Sequence, residues 1–438
     1  MAVGTGLLVV ALAFLDDVQI TTRLIVLVGG CALLFVGIAL LSPRLVGRLA
    51  VVIGWPAAIV GGAPGRLARH NSQRNPGRVA TTAAALMIGL ALVTFVAVLG
   101  AGLREANETA IDRQFDADYV VSAQSGETFE TEATDTIEKA AGVEAASGVR
   151  SDSARPAGSD SAKNVTGIDP RTITGTYRFD WSDGSDDVLG RLRAGDALIS
   201  KDFAKAEGLE RGDRFRMVTP SNETIEHEVS AIHRSRPLAP LLGDVTVSHA
   251  GFDRDFDRTL TQYAFVRVTG GAGRSSERAL ERALEPFPDA KLETKAGFID
   301  EQGAPLATLL NLVFLLLALA IVVSLFGIVN TLALSVFERT REVGMLRAVG
   351  MVPSQVRWMV LHESVIIALL GGVLGTAVGL FLGALISQAL TEYDLEFQLP
   401  LGYLATFLLV ALVAGVLASI LPARRAARLN VLEALHYE

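Results

Sequence analysis

A helix needs about 20 apolar residues to cross a hydrocarbon layer about 30 Å thick. Five stretches of this chain come close to or exceed that length: 24–41, 79–103, 305–337, 359–390 and 401–421. A sixth, 2–15, is short for a full crossing. No Lys or Arg precedes it and no small-residue cleavage site follows, so it reads as a span whose beginning is missing rather than as a signal peptide. The expectation is a polytopic α-helical membrane protein with about six transmembrane helices. A composition 50% hydrophobic and only 20% charged agrees with that class.

Charge then orients the spans. Residues 104–301 carry 25 basic and 37 acidic side chains, a net of −12, whereas the whole chain has a net charge of −8. The basic residues outside that block are all Arg, and all but Arg23 cluster at 44–78, 339–347, 357 and 424–428. Short Arg-rich loops are retained in the cytoplasm. Acidic Asp16 and Asp17, the 392–396 connection and the 104–301 block therefore face outside. The resulting order is a transmembrane hairpin (1–42), a cytoplasmic amphipathic linker (43–78) and a span (79–103). An extracytoplasmic α+β domain (104–303) and a span with stalk (304–337) follow. A charged cytoplasmic segment (338–356), a span (357–390), an outer loop (391–400), a last span (401–422) and a tail (423–438) complete it. Both termini are expected in the cytoplasm.

The outside block mixes periodicities. "DYVVSA", "RFRMVTP" and "QYAFVRV" have the β-branched and aromatic content of strands. "SSERALERALEPF" places Ala279, Leu280, Ala283 and Leu284 at helical spacing, with Pro286 as a stop. "ALISKDFAKAEGLERGDRF" reads as strand, short helix ended by Gly208, turn and strand. Its His227, His233 and His249 are not at metal-ligand spacing, and "DRDFD" lacks the Gly and Glu of a calcium loop. The lone Cys31 excludes an intrachain disulfide. No metal site and no catalytic residue is expected.

Within the spans, Gly371, Gly375, Gly379 and Gly383 recur every four residues. That face admits another helix at close range. It fits packing within one subunit equally with a sliding or dimer interface. Glu363 stands near the start of its span beside His362, and is read as an interfacial carboxylate paired with an Arg such as Arg357. As a helix, 305–337 would extend roughly 50 Å, so part of it should protrude as a stalk.

The charged interruption "FERTREVGMLRAVG" is the least expected stretch. As a helix over 336–349 it places Val336, Val343 and Leu346 on one side and Glu338, Arg341 and Met345 largely on the other. Arg339 and Glu342 are three apart and can pair. Gly350 ends the element and Pro353 begins the next. A helix lying on anionic lipid should be mainly basic, and this mixed face suits a protein partner better.

The stretch "VNTLALSVFERTREVGMLRAVGMVPSQVRWMVLHESVIIALLGGVLGTAVG" resembles the C-terminal permease block of the FtsX-like, MacB-like ABC transporter family. Its core appears as Glu338, Arg339, Arg341, Glu342, Val343, Gly344, Arg347, Ala348 and Gly350. Glu363 and the glycine series match as well. The tail "LPARRAARLNVLEALHYE" is similar to the family's ending, with Pro422, Ala426, Ala434 and Leu435 in the matching places. Val431 and His436 replace the usual Pro and Arg there. "NPGRVATTAAALMIGLALVTF" and "ALISKDFAKAEGLERGDRF" look like the first span and the outer domain of the family. The first 65 residues look like the middle of double-length permeases.

The resemblance implies a permease subunit in a bacterial plasma membrane. Its 338–350 segment, Leu346 included, would be a coupling helix seated in a separate cytoplasmic P-loop ATPase. ATP and Mg would be bound there, since this chain has no G-x-x-x-x-G-K-[ST] and no cofactor of its own. The stalks would relay movement to the outer domain by mechanotransmission, acting on a lipid, lipoprotein or peptide. Further expected partners are membrane lipids, a second permease half or copy, and an extracytoplasmic lipoprotein or envelope enzyme, but no nucleic acid. A non-transporting regulator of a cell-wall enzyme is the alternative. A proton-driven secondary transporter depending on Glu363 is a third.

Overall fold

The computed structural model describes residues 20–74, 76–126, 128–235, 240–257, 260–391 and 395–429. The chain divides into two compact units. One comprises Met1–Glu105 with Leu306–Glu438, and the other Ala106–Pro305.

The first unit is helical. Helix α1 (Ile20–Val60) is followed by the short α2 (Gly62–Arg74) and by α3 (Pro76–Gln114), which continues into the second unit. Helix α8 (Lys295–Glu338) enters from that unit, and α9 (Thr340–Ala348), α10 (Pro353–Ala389) and α11 (Leu401–Ala427) complete the first. Among the described residues four helices are long and apolar enough to cross a membrane: Gly77–Gln114, Lys295–Glu338, Pro353–Ala389 and Leu401–Ala427. The structure thus supports four of the roughly six expected spans. The run 2–15 lies outside the described residues, and 24–41 is the first part of the 41-residue α1.

The core of this unit gathers Leu86, Met87 and Leu90 of α3, Val356, Met359 and Ile366 of α10, and Ala411 and Ala418 of α11. Helix α2 lays Gly65, Ala68 and Ser72 against the rest of the unit and leaves Arg66, His70 and Arg74 outward. Helix α8 is the peripheral member: most of its apolar stretch is exposed, whereas most of that of α3 and α10 is buried. Leu312, Leu315, Leu319, Val323 and Phe326 are exposed along it, as an apolar solvent would allow. At 44 residues it is longer than the 305–337 run, because its helix begins at Lys295 and takes Pro305 into its interior.

The second unit is a ten-stranded mixed sheet with helices against it. The strands are β1 (Tyr119–Ala123), β2 (Val143–Pro156), β3 (Lys163–Ile168), β4 (Trp181–Asp183), β5 (Asp196–Ser200), β6 (Arg214–Val218), β7 (Thr224–His233), β8 (Val245–Ser248), β9 (Thr261–Val268) and β10 (Ala290–Thr294). Their order is β10-β1-β9-β2-β3-β8-β5-β7-β4, with β6 paired to β2 and β7. Pairing is antiparallel except between β3 and β8 and between β5 and β7. Helices α4 (Thr131–Glu138), α5 (Lys201–Glu207), α6 (His249–Asp255) and α7 (Arg274–Leu284) cover it.

The strands and the helix expected from the three β-rich motifs and from "SSERALERALEPF" are β1, β6, β9 and α7. The local reasons are visible at α5. Ser200 Oγ accepts the Phe203 amide at 3.1 Å, capping the start. Gly208 stops the helix at φ 67°, a left-handed conformation that favours glycine.

Candidate functional site

The charged segment does not form one helix over 336–349. Helix α8 ends at Glu338, Arg339 leaves helical geometry (φ −105°, ψ 19°), and α9 restarts at Thr340. The hydroxyl of Thr340 donates to the Phe337 carbonyl at 2.7 Å. Such local side-chain bonds compete with the helix ladder. The break turns Arg339 inward. Its Nε donates to Glu342 Oε2 at 3.0 Å, and its Nη1 lies 3.5 Å from Glu363 Oε1. Glu363 is buried at 8% exposure, and its ionic neighbour is Arg339 rather than Arg357.

Helix α9 has two distinct sides. Val343 and Gly344 are buried, Leu346 is half-buried, and Arg341, Glu342 and Met345 face out, as do the flanking Glu338 and Val349. Val349, 89% exposed, is among the most exposed apolar side chains of the unit. Arg347 is half-buried and donates to the Leu429 carbonyl, joining α9 to the end of the last helix. Gly350 turns the chain at φ 117°, and Pro353 opens α10. Pro422 and Ala426 are buried in α11, whereas Ala434 and Leu435 lie outside the described residues.

A cavity of about 50 Å³ lies behind α9, lined in part by Asn71, Ser335, Arg339, Val343 and Glu363. Asn71 comes from α2, and sequence reasoning did not include it. Arg78, at the start of α3, was missed too: its Nη1 donates to Glu338 Oε2 at 2.6 Å. Its position directly before an apolar run was the available signal.

The glycine face of α10 is filled from within the chain. A Cβ at Gly371 would stand 2.8 Å from the Ala83 carbonyl, one at Gly375 2.6 Å from that of Met87, and one at Gly379 2.5 Å from that of Ala91. At Gly383 it would meet Val98 Cγ1 at 2.6 Å. Helix α3 therefore lies backbone to backbone along α10 from Gly371 to Gly379, about two turns.

In the second unit His227 and His233 are buried, as is Asp255. His227 Nε2 is 2.9 Å from Asp255 Oδ2, which also pairs with Arg254. Burial drives the His233 imidazole down to about 4. Its Nε2 has no hydrogen-bond partner among the described residues. Among the described residues no three His, Cys, Asp or Glu gather as metal ligands.

With this geometry in place, the relatives of the chain are informative. Residues 314–431 match the family model FtsX-like permease C-terminal, and residues 79–283 match MacB-like periplasmic core domain. The first match contains α9 and the glycine face, the second strands β1 to β9 of the sheet. The chain belongs with the ABC transporter permeases of the MacB/FtsX type, as a membrane protein with a domain of the periplasmic-core kind.

It is 45% identical over 56 residues to the ABC transporter permease YtrF of Bacillus subtilis, which is 13% of each chain. It is 32% identical over 116 residues to the macrolide export ATP-binding/permease protein MacB of Burkholderia cenocepacia, 25% of this chain and 17% of that one. The matched stretches thus span well under a quarter of these curated relatives. Among solved structures, the periplasmic region of MacB from Actinobacillus actinomycetemcomitans aligns with TM-score 0.33 and 11% identity, covering 44% of this chain and 94% of that one.

Proposed function

We propose that the chain is the membrane-spanning subunit of a mechanotransmission ABC transporter. A separate cytoplasmic P-loop ATPase hydrolyses ATP with Mg, and this chain converts the movement into work on a lipid, lipoprotein or peptide outside the bilayer. The observation that carries the reading is the two-sidedness of α9. Its inner side, Val343 and Gly344, is packed in the unit's core, while Arg341, Met345 and Val349 are offered outward at one end of the bundle. A helix gripped from behind and free in front transmits a push.

Two features support the relay. Helices α3 and α8 each run without interruption from one unit into the other. The Arg78–Glu338 pair ties the start of one to the end of the other. In this reading α9 and both termini lie in the cytoplasm of a bacterial cell and the Ala106–Pro305 unit lies outside, and the Arg clusters at 44–78, 339–347 and 424–428 support it. A second permease half or copy completes the membrane assembly, and an envelope lipoprotein or enzyme engages the outer unit.

The test is reconstitution of the full chain with its ATPase. Gly344→Pro and Glu342→Arg should each abolish stimulation of ATP hydrolysis while membrane insertion and yield persist. Undiminished stimulation in both variants overturns the coupling role. Stimulation with no substrate moved, together with a co-purifying cell-wall enzyme, would favour the regulatory alternative.

A further inference from the structure

A groove of about 390 Å³ opens between the first turns of α10 and the last turns of α11. Ser354, Arg357, Trp358 and Leu361 line one wall, and Ile420 and Arg424 stand on the other. Both arginines are exposed, and neither makes an ion pair or hydrogen bond among the described residues. The neighbouring Arg78 and Arg339 are each matched to a carboxylate. Trp358 is 57% exposed.

The groove has a defined position on the outer face of the bundle. Leu409, Val413, Leu417 and Leu421 of α11 are all exposed and four residues apart. They form a stripe that suits acyl chains and ends one turn before Arg424. An indole and two cations at the end of such a stripe mark the level where hydrocarbon gives way to headgroups. Two guanidinium groups without a counter-charge among the described residues suit a phosphodiester of net negative charge, and a zwitterionic headgroup would bring its own ammonium against them. A protein partner would need acidic groups and a polar rim to fit a surface that is otherwise apolar.

We propose that this groove is a site for one anionic phospholipid, with Arg357 and Arg424 holding its phosphate and Trp358 lying against the glycerol and upper acyl carbons. The lipid would sit beside α10, the helix that carries Glu363 and the glycine face. The site is independent of whether the chain transports.

The test uses the full chain in nanodiscs of phosphatidylcholine, doped with brominated phosphatidylglycerol or, separately, brominated phosphatidylcholine. The signal is the Trp358 fluorescence, isolated as the difference between the native chain and Trp358→Phe. Bromo-phosphatidylglycerol should quench at lower mole fraction than bromo-phosphatidylcholine. Arg357→Gln and Arg424→Gln should each cut that preference about fivefold, as expected for one cation lost at an anionic surface. Arg428→Gln, which does not line the groove, should leave it intact. If a glutamine variant is recovered poorly, Arg357→Lys with Arg424→Lys keeps both charges and should retain the preference. Equal quenching by the two lipids overturns the proposal, as does a preference unchanged in the glutamine variants. Relief of quenching by inorganic phosphate at millimolar concentration would assign the groove to a soluble anion instead. Protection of Trp358 from both lipids would mean that a second copy or a partner covers it, and would equally overturn the proposal.

Discussion

Arg339 Nη1 stands 3.5 Å from Glu363 Oε1, and the same side chain reaches Glu342 through Nε at 3.0 Å. One residue at the α8–α9 break thereby joins the charged segment to a carboxylate buried at the start of α10. The two ends of this pair are not equivalent. Arg339→Gln leaves Glu363 without its nearest cation, whereas Glu363→Gln leaves Arg339 its bond to Glu342. Arg339→Gln should therefore cost more, about 2 kcal/mol, short of the full value for a completely buried pair. Thermal denaturation of both variants in one detergent checks the order. Equal losses would mean the pair is not the dominant partner of Glu363.

The contact of α3 with α10 leaves no room for a methyl group. Gly375→Ala would bring Cβ to 2.6 Å from the Met87 carbonyl and 3.1 Å from the Ala91 amide. The helices must part, and a loss of about 1–3 kcal/mol is expected. At Gly327, inside α8, a Cβ would have nothing within 4 Å. Gly327→Ala should be neutral or stabilising by up to about 1 kcal/mol through helix propensity. The melting temperature should fall in Gly375→Ala and hold or rise in Gly327→Ala.

His233 gives the outer unit a pH dependence of known sign. Its folded-state value of about 4 lies below the ordinary 6.5, because burial disfavours the imidazolium. Below pH 6.5 the unfolded chain binds the proton first, so stability falls as pH drops, and the fall levels off near pH 4. The full effect is up to about 3 kcal/mol. His233→Phe keeps a ring packed edge-on against Phe179 and removes the titration. Denaturation of the full chain at pH 7.5 and pH 5, followed by Trp181 emission, should show a smaller difference in the variant. An identical difference would assign the dependence to other groups.

Gly350 is held at φ 117°, a region from which side chains are excluded. Gly350→Ala should cost about 1–3 kcal/mol. If the turn relaxes, it should also loosen the attachment of α9 to α10. Limited proteolysis after Arg347 should quicken in this variant and stay unchanged in Gly273→Ala, where the backbone is extended at φ −168°.

Much of this architecture is legible in the residues themselves. Alternation in "QYAFVRV" marks β9, Gly208 marks the end of α5, and the four-residue glycine period marks a close helix contact. The identity of the helix that fills the glycine face is not legible, because periodicity describes one surface and not its partner. The same limit hid Arg78, whose partner Glu338 is 260 positions away. The break at Arg339 was hidden for another reason. No proline interrupts 336–349 and its charges are at helical spacing, so the break is seen only in the structure, where the Thr340 hydroxyl bonds back to the Phe337 carbonyl. Pro305 misled in the opposite sense. A proline reads as a helix start, yet α8 absorbs it ten residues in, where the chain passes from one unit to the other.

The glycine contact has a metric consequence. The carbonyls it meets, those of Ala83, Met87 and Ala91, recur at the same four-residue interval as the glycines. Four residues of helix advance about 6 Å. A displacement of that length along α3 would set glycines over carbonyls again. The joint is therefore graduated, with the same close fit recurring about every 6 Å along its length.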